Sequence, residues 1–538
     1  MSHPDATIEE LRCPTCAAQA REIAELRAEL NWVKEQHRIS VNRLFGRSSE
    51  QTPAGQEAFV FNEAETVALP IEDEPAVQDV VVERHTRKSG GRREQVANLE
   101  TRDVEYPATE EQQKCPCCGE PMHFVDWQVR QEVGYIPPKA VLLNHKQPVY
   151  ACRGCQESGE STPIHTVKTM PEPAFPKSLA SPSLVSHIIT QKFVMSAPLY
   201  RQEQNMEGLG VLFSRQTMAN WTIRAASLMK PLCDRMREIL LARDIVHADE
   251  TSVQVLKEPD RAATTDSTMW LYRTGRDGPP IVLFEYQTTR AGKHAKAFLE
   301  GFGTLDHPKF LHADGHSGYD SVPNWTLVDG KKTPDVILVG CWAHARRKFH
   351  DASTAVKPAD RRTTKRVAAD EGLGLCNDLF ELEKEFRDMT ADQRQAARQK
   401  KSAPKLGEIK AWLDKAALEV LPKTAAGMAV AYCLSQWPKL TAFLLDGRLE
   451  IDNNRAERSI KPFVIGRKNW LFTNTPNGAN ASATLYSIVE TAKENGLIPF
   501  EYLKYLLERL PNIDTNNPAS IDTLLPYSKD IPDYCHKR

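Results

Sequence analysis

The chain has 538 residues, 41% of them hydrophobic, with 69 Lys and Arg against 71 Asp and Glu for a formal net charge of −2. That length exceeds one domain and suits three or four, with enough apolar residues for sizeable cores. No apolar stretch approaches the roughly 18 residues of a membrane span, and the N-terminus lacks the basic-then-apolar pattern of a secretory signal, so the expected location is the cytoplasm. Near-neutral charge does not announce a nucleic-acid binder, but it conceals local runs. Residues 84–93, 346–348, 361–366 and 458–468 are basic, and residues 63–83 are acidic. Each run alone reads as a solvated face or linker.

Residues 1–50 hold a helical pattern, with Ile23, Leu26, Leu30 and Val33 at three- and four-residue steps. It reads either as a short coiled coil for self-association or as an amphipathic helix packed on its own domain. Residues 51–95 turn from acidic to basic around few large apolar side chains, as a flexible charged linker would. Residues 96–165 carry Cys115-Pro116-Cys117-Cys118-Gly119 and, later, Cys152-Arg153-Gly154-Cys155. Two C-x-x-C pairs made of Cys115, Cys118, Cys152 and Cys155 predict a closed, structural zinc site of four thiolates. Cys13 and Cys16 form a further pair with no partner pair nearby. Residues 166–240 predict helices over 179–193, 199–207 and 215–229, separated by turns at Ala197-Pro198 and Gly208-Leu209-Gly210. A short helix, a glycine turn and a second helix fit a helix-turn-helix-like DNA-binding region, although any helical bundle contains such pairs.

From residue 241 the texture changes to short apolar runs over 245–248, 253–256, 269–274, 281–286, 310–313 and 336–339, with a helix over 293–299. Strands interspersed with helices predict a mixed sheet covered by helices, an α/β core whose first part spans 241–345. Residues 346–445 are long, charged and helical, an insertion between the two parts of that core. The second part, 446–510, begins with a short helix that Pro462 is expected to end. Leu485, Ile488, Val489 and Ala492 then stripe a later helix stopping at Gly496, and a last helix follows over 501–510. The tail, 511–538, is rich in Pro, Asn and Asp and is expected to be loose.

Two of the apolar runs end on a carboxylate, in His247-Ala248-Asp249-Glu250 and His312-Ala313-Asp314, and Glu457 follows an Asp452-Asn453-Asn454 cluster suited to capping a helix. One aspartate after an apolar run is ordinarily a turn residue. Two strand-borne aspartates and a helix-borne glutamate are a set that can hold two magnesium ions for phosphodiester chemistry. Each motif also contains an alternative carboxylate: Glu250, Asp320 and Asp452. Alternation places Asp249 on the face of His247 and Glu250 on that of Ala248, which groups the candidates without choosing between them. His247 and His312 read as hydrogen-bonded core residues, since magnesium prefers oxygen ligands. Arg346, Arg347 and Lys348 at a helix start, and Arg458 and Lys461 beside Glu457, are candidate contacts for DNA phosphates. Lys461, four residues beyond Glu457, can equally pair with it.

Together these motifs resemble the transposases of the insertion sequence 66 family, which have an Asp-Asp-Glu active site. The resemblance rests on the segments around Asp249 and Asp314, on Cys341-Trp342-Ala343-His344-Ala345-Arg346-Arg347-Lys348-Phe349, on Asp452 to Arg458 and on Tyr486-Ser487-Ile488-Val489-Glu490-Thr491-Ala492. Phe45-Gly46-Arg47-Ser48-Ser49-Glu50, the cysteine pairs and Pro198-Leu199-Tyr200-Arg201-Gln202 extend it, so that it covers residues 19 to 510. It implies a ribonuclease H-like catalytic fold with a helical insertion before the glutamate, and it selects Asp249, Asp314 and Glu457 as the catalytic, magnesium-binding residues. It also implies helper proteins encoded by the same element. Cys13/Cys16 and the polar loop 257–268 depart from the family pattern. The expected protein is a transposase that works as a homo-oligomer on double-stranded DNA, element ends and target alike. A ribonuclease H-like nuclease without strand transfer, and a transposase-derived DNA-binding protein, stay open as alternatives.

Overall fold

The computed structural model describes residues 170–355 and 368–537, the short stretches 139–147, 149–151 and 164–166, and five helical positions, Ile23, Leu26, Leu30, Val33 and Lys34. The four cysteines of the expected zinc site, Cys13 and Cys16, the linker 51–95 and the basic run 361–366 lie outside the described residues. The four apolar positions of the N-terminal helix are all exposed.

Strands β1 (Val149–Ala151) and β2 (Ile164–Thr166) form an antiparallel ribbon. Helix α1 (Pro182–Phe193) starts with Ser181 accepting from the Leu184 N–H and proline in its first turn, a strong start signal. Helix α2 (Leu199–Gly208) leads through a turn to α3 (Arg215–Ala242), which Ser214 caps. The sequence predicts that this third helix stops at Met229; instead it passes through Pro231 to Ala242. Pro231 forfeits one backbone hydrogen bond, but Met229, Leu232, Met236 and Leu240 are all fully buried along one face, and that burial outweighs the loss.

The sheet consists of β3 (Ile245–Gln254), β4 (Asp266–Thr274), β5 (Val282–Gln287), β6 (Lys309–His312) and β9 (Val336–Val339), in the order β5-β4-β3-β6-β9. Strands β3, β4 and β5 are antiparallel neighbours, whereas β6 and β9 run parallel to β3. The two runs read separately as 245–248 and 253–256 belong largely to one strand, because Asp249 and Glu250 keep their places in the ladder opposite Leu271 and Trp270. Helix α4 (Gly292–Phe298) crosses to β6, and β7 (Trp325–Val328) with β8 (Lys331–Pro334) forms an exposed hairpin before β9.

After β9 comes α5 (Trp342–Ala355), then a helical group: α6 (Ala368–Glu385), α7 (Ala391–Ala397), α8 (Ala403–Glu419), α9 (Ala425–Ser435) and α10 (Trp437–Thr441). These helices build a second core around Trp342, Phe349, Leu379, Leu413 and Phe443. Arg398, almost wholly buried, makes a bidentate pair with Glu383 (2.8 and 2.7 Å) and donates to the carbonyls of Phe443 and Leu449. It thereby fixes the segment that returns the chain to the sheet.

That return is α11 (Asn454–Trp470), followed by α12 (Pro476–Glu494) and α13 (Pro499–Arg509). Contrary to expectation, Pro462 does not end α11. Ile460 and Phe463 are buried, and Gly466 lets the helix approach Tyr486 so closely that a Cβ there would lie 2.5 Å from its hydroxyl. Helix α12 covers the edge strand β5: Ser487 Oγ accepts from Phe284 N, while Thr491 Oγ1 accepts from Val282 N and donates to Val282 O. These bonds satisfy backbone groups that an open edge would expose to another chain.

The tail is also packed rather than loose. Ile521, Leu524, Leu525, Ile531 and Cys535 are at most 4% exposed, Tyr502 Oη donates to Leu524 O at 2.6 Å, and Ile498 N donates to Cys535 O at 2.7 Å. Proline and asparagine set its turns while spaced apolar residues anchor it. Leu524→Ala is therefore expected to cost about 2–4 kcal/mol in urea denaturation; a loss below about 0.5 kcal/mol is what a loose tail would give.

Candidate active site

Strands β3, β6 and β9 are parallel, and their C-terminal ends open on one side of the sheet, where crevices of α/β sheets form. One rung joins His247, His312 and Val339. Two residues beyond that rung stand Asp249, still within β3, and Asp314 and Cys341, just past the ends of β6 and β9.

The two histidines beneath are stacked, with ring centroids 4.8 Å apart. His312 Nε2 faces the Gly340 carbonyl at 2.9 Å and must carry the proton, since a carbonyl only accepts. Asn453 donates its amide to Ala248 O at 2.8 Å and so turns Oδ1 toward His247 Nδ1 at 3.0 Å. Burial depresses His247 to about 4 and His312 to about 3, so both are neutral near pH 7. They are hydrogen-bonded core residues. Asn453 also donates its backbone N–H to Cys341 Sγ at 3.2 Å. The residue just before α11 is thereby held to β3 by its side chain and to the end of β9 by its backbone.

This anchoring fixes Glu457, in the first turn of α11. Burial drives the Asp249 carboxyl well above the usual range, and the nearby charges of Glu250, Asp314 and Glu457 drive it further. The Glu250 N–H, 2.9 Å from Oδ1, acts against them. Asp314 Oδ1 accepts from His316 N at 2.9 Å. Glu457, 9% exposed, meets Arg347 Nη2 at 3.4 Å and His344 Nδ1 at 3.7 Å, and its Oε1 has no hydrogen-bond partner.

The alternative carboxylates are engaged elsewhere. Cross-strand pairing with Trp270 puts Glu250 on the opposite face from Asp249. There Arg290 Nε donates to it at 2.9 Å and the Tyr319 hydroxyl donates as well. Asp320 pairs with Lys439. Asp452 accepts from the backbone and side chain of Asn454 (3.1 and 2.9 Å), and burial pushes its carboxyl up to about 6.

The cations read from the sequence divide. Arg347 faces Glu457, and Lys348 Nζ lies 4.7 Å from the centroid of the Tyr432 ring. That ring packs on Gly315, where a Cβ would be 2.7 Å from it. Arg346 turns toward α6 instead, donating Nε to Asn377 at 2.6 Å. Arg458 is exposed and Lys461 partly exposed, both about one turn or less beyond Glu457 on α11. In the helix-turn-helix-like region, α3 exposes Arg215, Gln216, Asn220 and Arg224 near its start, beside an open cleft of ≈ 410 Å³ lined by Thr217, Asn220, Trp221, Ile223 and Arg224.

Sequence reasoning missed Asn453 as an anchor, the Arg290–Glu250–Tyr319 clamp and the placement of Cys341 against Glu457. Asn453 was legible as part of a capping cluster; its bonds to β3 span 205 and 206 residues and carry no local signal.

Comparisons with known proteins give a consistent result. The profile described as "Transposase IS66 family" matches residues 177–481, and that of the "IS66 C-terminal element" matches 487–527. The "zinc-finger binding domain of transposase IS66" matches 112–156, the span that contains Cys115, Cys118, Cys152 and Cys155, and the "Transposase C of IS166 homeodomain" matches 32–104. Similar curated proteins come from Sinorhizobium fredii (strain NBRC 101917 / NGR234). Uncharacterized protein y4jD is 30% identical over 78% of this chain and 78% of its own length. Uncharacterized protein y4hP is 27% identical over 87% and 83%, and uncharacterized protein y4qI 28% identical over 95% and 93%.

Repulsion within the buried carboxylate group yields a stability prediction. Asp249→Asn keeps the shape and removes the charge, so in buffer free of divalent ions its Tm should rise by about 2–4 °C. A fall in Tm, read by differential scanning fluorimetry, would mean that the aspartate's charge is compensated in the fold.

Proposed function

This chain belongs to the IS66 transposase family, and from that premise we propose that it binds the ends of an insertion element and catalyses metal-dependent DNA cleavage and strand transfer. The observation that carries the proposal is the convergence of Asp249, Asp314 and Glu457 at the open end of the parallel strands, while each alternative carboxylate has partners of its own. A ribonuclease H-like core is supported by the strand order, three antiparallel strands followed by two parallel ones, and by α11 returning to β3 after the helical insertion.

Divalent metal fits the donor set. The three carboxylates offer oxygen ligands of the kind magnesium prefers, burial and its acidic neighbours destabilise the charge on Asp249, and Glu457 Oε1 is buried without a hydrogen-bond partner. Asp249, Asp314 and Glu457 would hold two Mg2+ ions. When bound, such a pair activates the attacking oxygen and stabilises the leaving one, first for water at the element's end and then for the released 3′-hydroxyl at target DNA.

The remaining residues bind and orient. Arg347, Lys348, Arg458 and Lys461 neutralise DNA phosphates, with Arg346 bracing α5 against α6. Arg347 is only loosely paired with Glu457, so a phosphate can draw it away. The Arg290–Glu250–Tyr319 clamp ties β3, one residue from Asp249, to the segments before α4 and after β6. Helices α2 and α3 read element ends together with the zinc module, in which Cys115, Cys118, Cys152 and Cys155 hold a structural Zn2+. The exposed Ile23, Leu26, Leu30 and Val33 stripe assembles a homo-oligomer on DNA. Helper proteins of the same element take part in the reaction. Among the described residues no helix is long and apolar enough to cross a membrane, and action on chromosomal DNA places the protein in the cytoplasm.

Assays on labelled element ends in Mg2+, intact for cleavage and pre-cleaved for joining, test this reading. Wild type should join ends to target, whereas Glu457→Ala should lose on the order of 10³-fold in both cleavage and joining while still binding ends. Hydrolysis without joined products would leave a nuclease. Lys348→Ala should weaken binding to all DNA sequences alike and reduce the slope of log K against log salt by about 0.9; an unchanged slope would remove Lys348 from the DNA path.

A further inference from the structure

Glu457 also belongs to a second cluster of different chemistry. One ligand atom each from Cys341, His344 and Glu457 lie within 4.8 Å of one another. Cys341 and His344 come from the turn and first residues of α5, and Glu457 from the first turn of α11. His344 Nδ1 and Glu457 Oε1 are 3.7 Å apart, and both are buried without a hydrogen-bond partner. Two polar atoms shielded from solvent and facing each other without a hydrogen bond call for a ligand.

The backbone around them is fixed. Gly340 N donates to Lys439 O at 2.9 Å, Trp342 N to Ile451 O at 3.1 Å and Trp342 Nε1 to Leu440 O at 2.8 Å. Asn453 ties the start of α11 to Cys341 itself. The ligands are thus held on rigid elements, as metal sites require. A sulfur, an imidazole nitrogen and one carboxylate select zinc and its relatives over magnesium. Ligand atoms around one zinc stand about 3.5 Å apart, so closure needs side-chain shifts of only about 1 Å.

We propose that Cys341, His344 and Glu457 form a binding site for a soft divalent ion, zinc or its surrogate cadmium, distinct from the magnesium site but sharing Glu457 with it. On binding, the Cys341 thiol gives its proton to solvent as the metal–sulfur bond forms. A metal here turns the Glu457 carboxylate toward Cys341 and His344, so occupancy competes with the magnesium ions for it and inhibits DNA processing. That consequence rests on the function proposed above; the binding does not.

The test is equilibrium dialysis of the full-length chain against cadmium in magnesium buffer, with thiolate-to-cadmium charge-transfer absorption as a second reading. Wild type should bind one more ion than Cys341→Ser, which loses the soft donor, and one more than His344→Gln, which keeps the thiol and guards against misfolding of the first variant. Equal stoichiometry in all three overturns the site. Zinc should then suppress wild-type joining but leave each variant's activity, relative to its own zinc-free rate, unaffected. Inhibition that persists equally in both variants overturns the competition. If wild type binds the extra ion yet joins no DNA in magnesium, the site stands and the functional reading falls.

Discussion

Asn453 is the small joint on which the geometry of the candidate active site depends. Its carboxamide binds Ala248 O and His247, and its backbone N–H binds Cys341 Sγ. Those contacts bring the start of α11 onto the ends of β3 and β9, and the helix then carries Glu457 toward two aspartates far away in sequence. The bonds are buried, so an unmade one would cost its full desolvation penalty, about 1–3 kcal/mol. A short polar side chain thus positions a whole helix more closely than apolar packing alone would.

The surrounding structure reinforces that joint from both directions. Arg398 secures the segment leading into α11 through Glu383 and three carbonyls, those of Phe443, Asp446 and Leu449. Arg273, buried beneath the helix, donates to Ser459 and to Glu494, linking β4 with α11 and α12. Such satisfied polar contacts restrict the helix to one register. The acidic centre is the opposite case: its carboxylates repel, and the fold tolerates them because surrounding packing over-determines their positions.

Much of the fold is legible in the sequence because its signals are local. Apolar runs mark all five strands of the main sheet, and alternation correctly separates Asp249 from Glu250 into two faces. Local rules fail where distant packing overrides them. The helix read as 215–229 runs on through Pro231, and Pro462 reads as a helix end, yet both prolines lie inside helices that bury an apolar face on each side of them. The polar tail reads as loose because its anchors, Ile521, Leu524 and Ile531, are widely spaced among turn residues.

Apolar periodicity and motif spacing are properties of neighbouring residues, so the chain's own order of residues was enough to specify the family, the mixed sheet and a short set of candidate carboxylates. Choosing among those carboxylates from sequence required the family resemblance. Folding in three dimensions settled which acids are paired and which are left facing one another: Arg290, Tyr319, Lys439 and Asn454 engage Glu250, Asp320 and Asp452. It also placed Cys341 and His344 against Glu457. Electrostatic and hydrogen-bonding partners are set by distance in space, and here most of those distances join residues separated by tens to hundreds of positions in the chain.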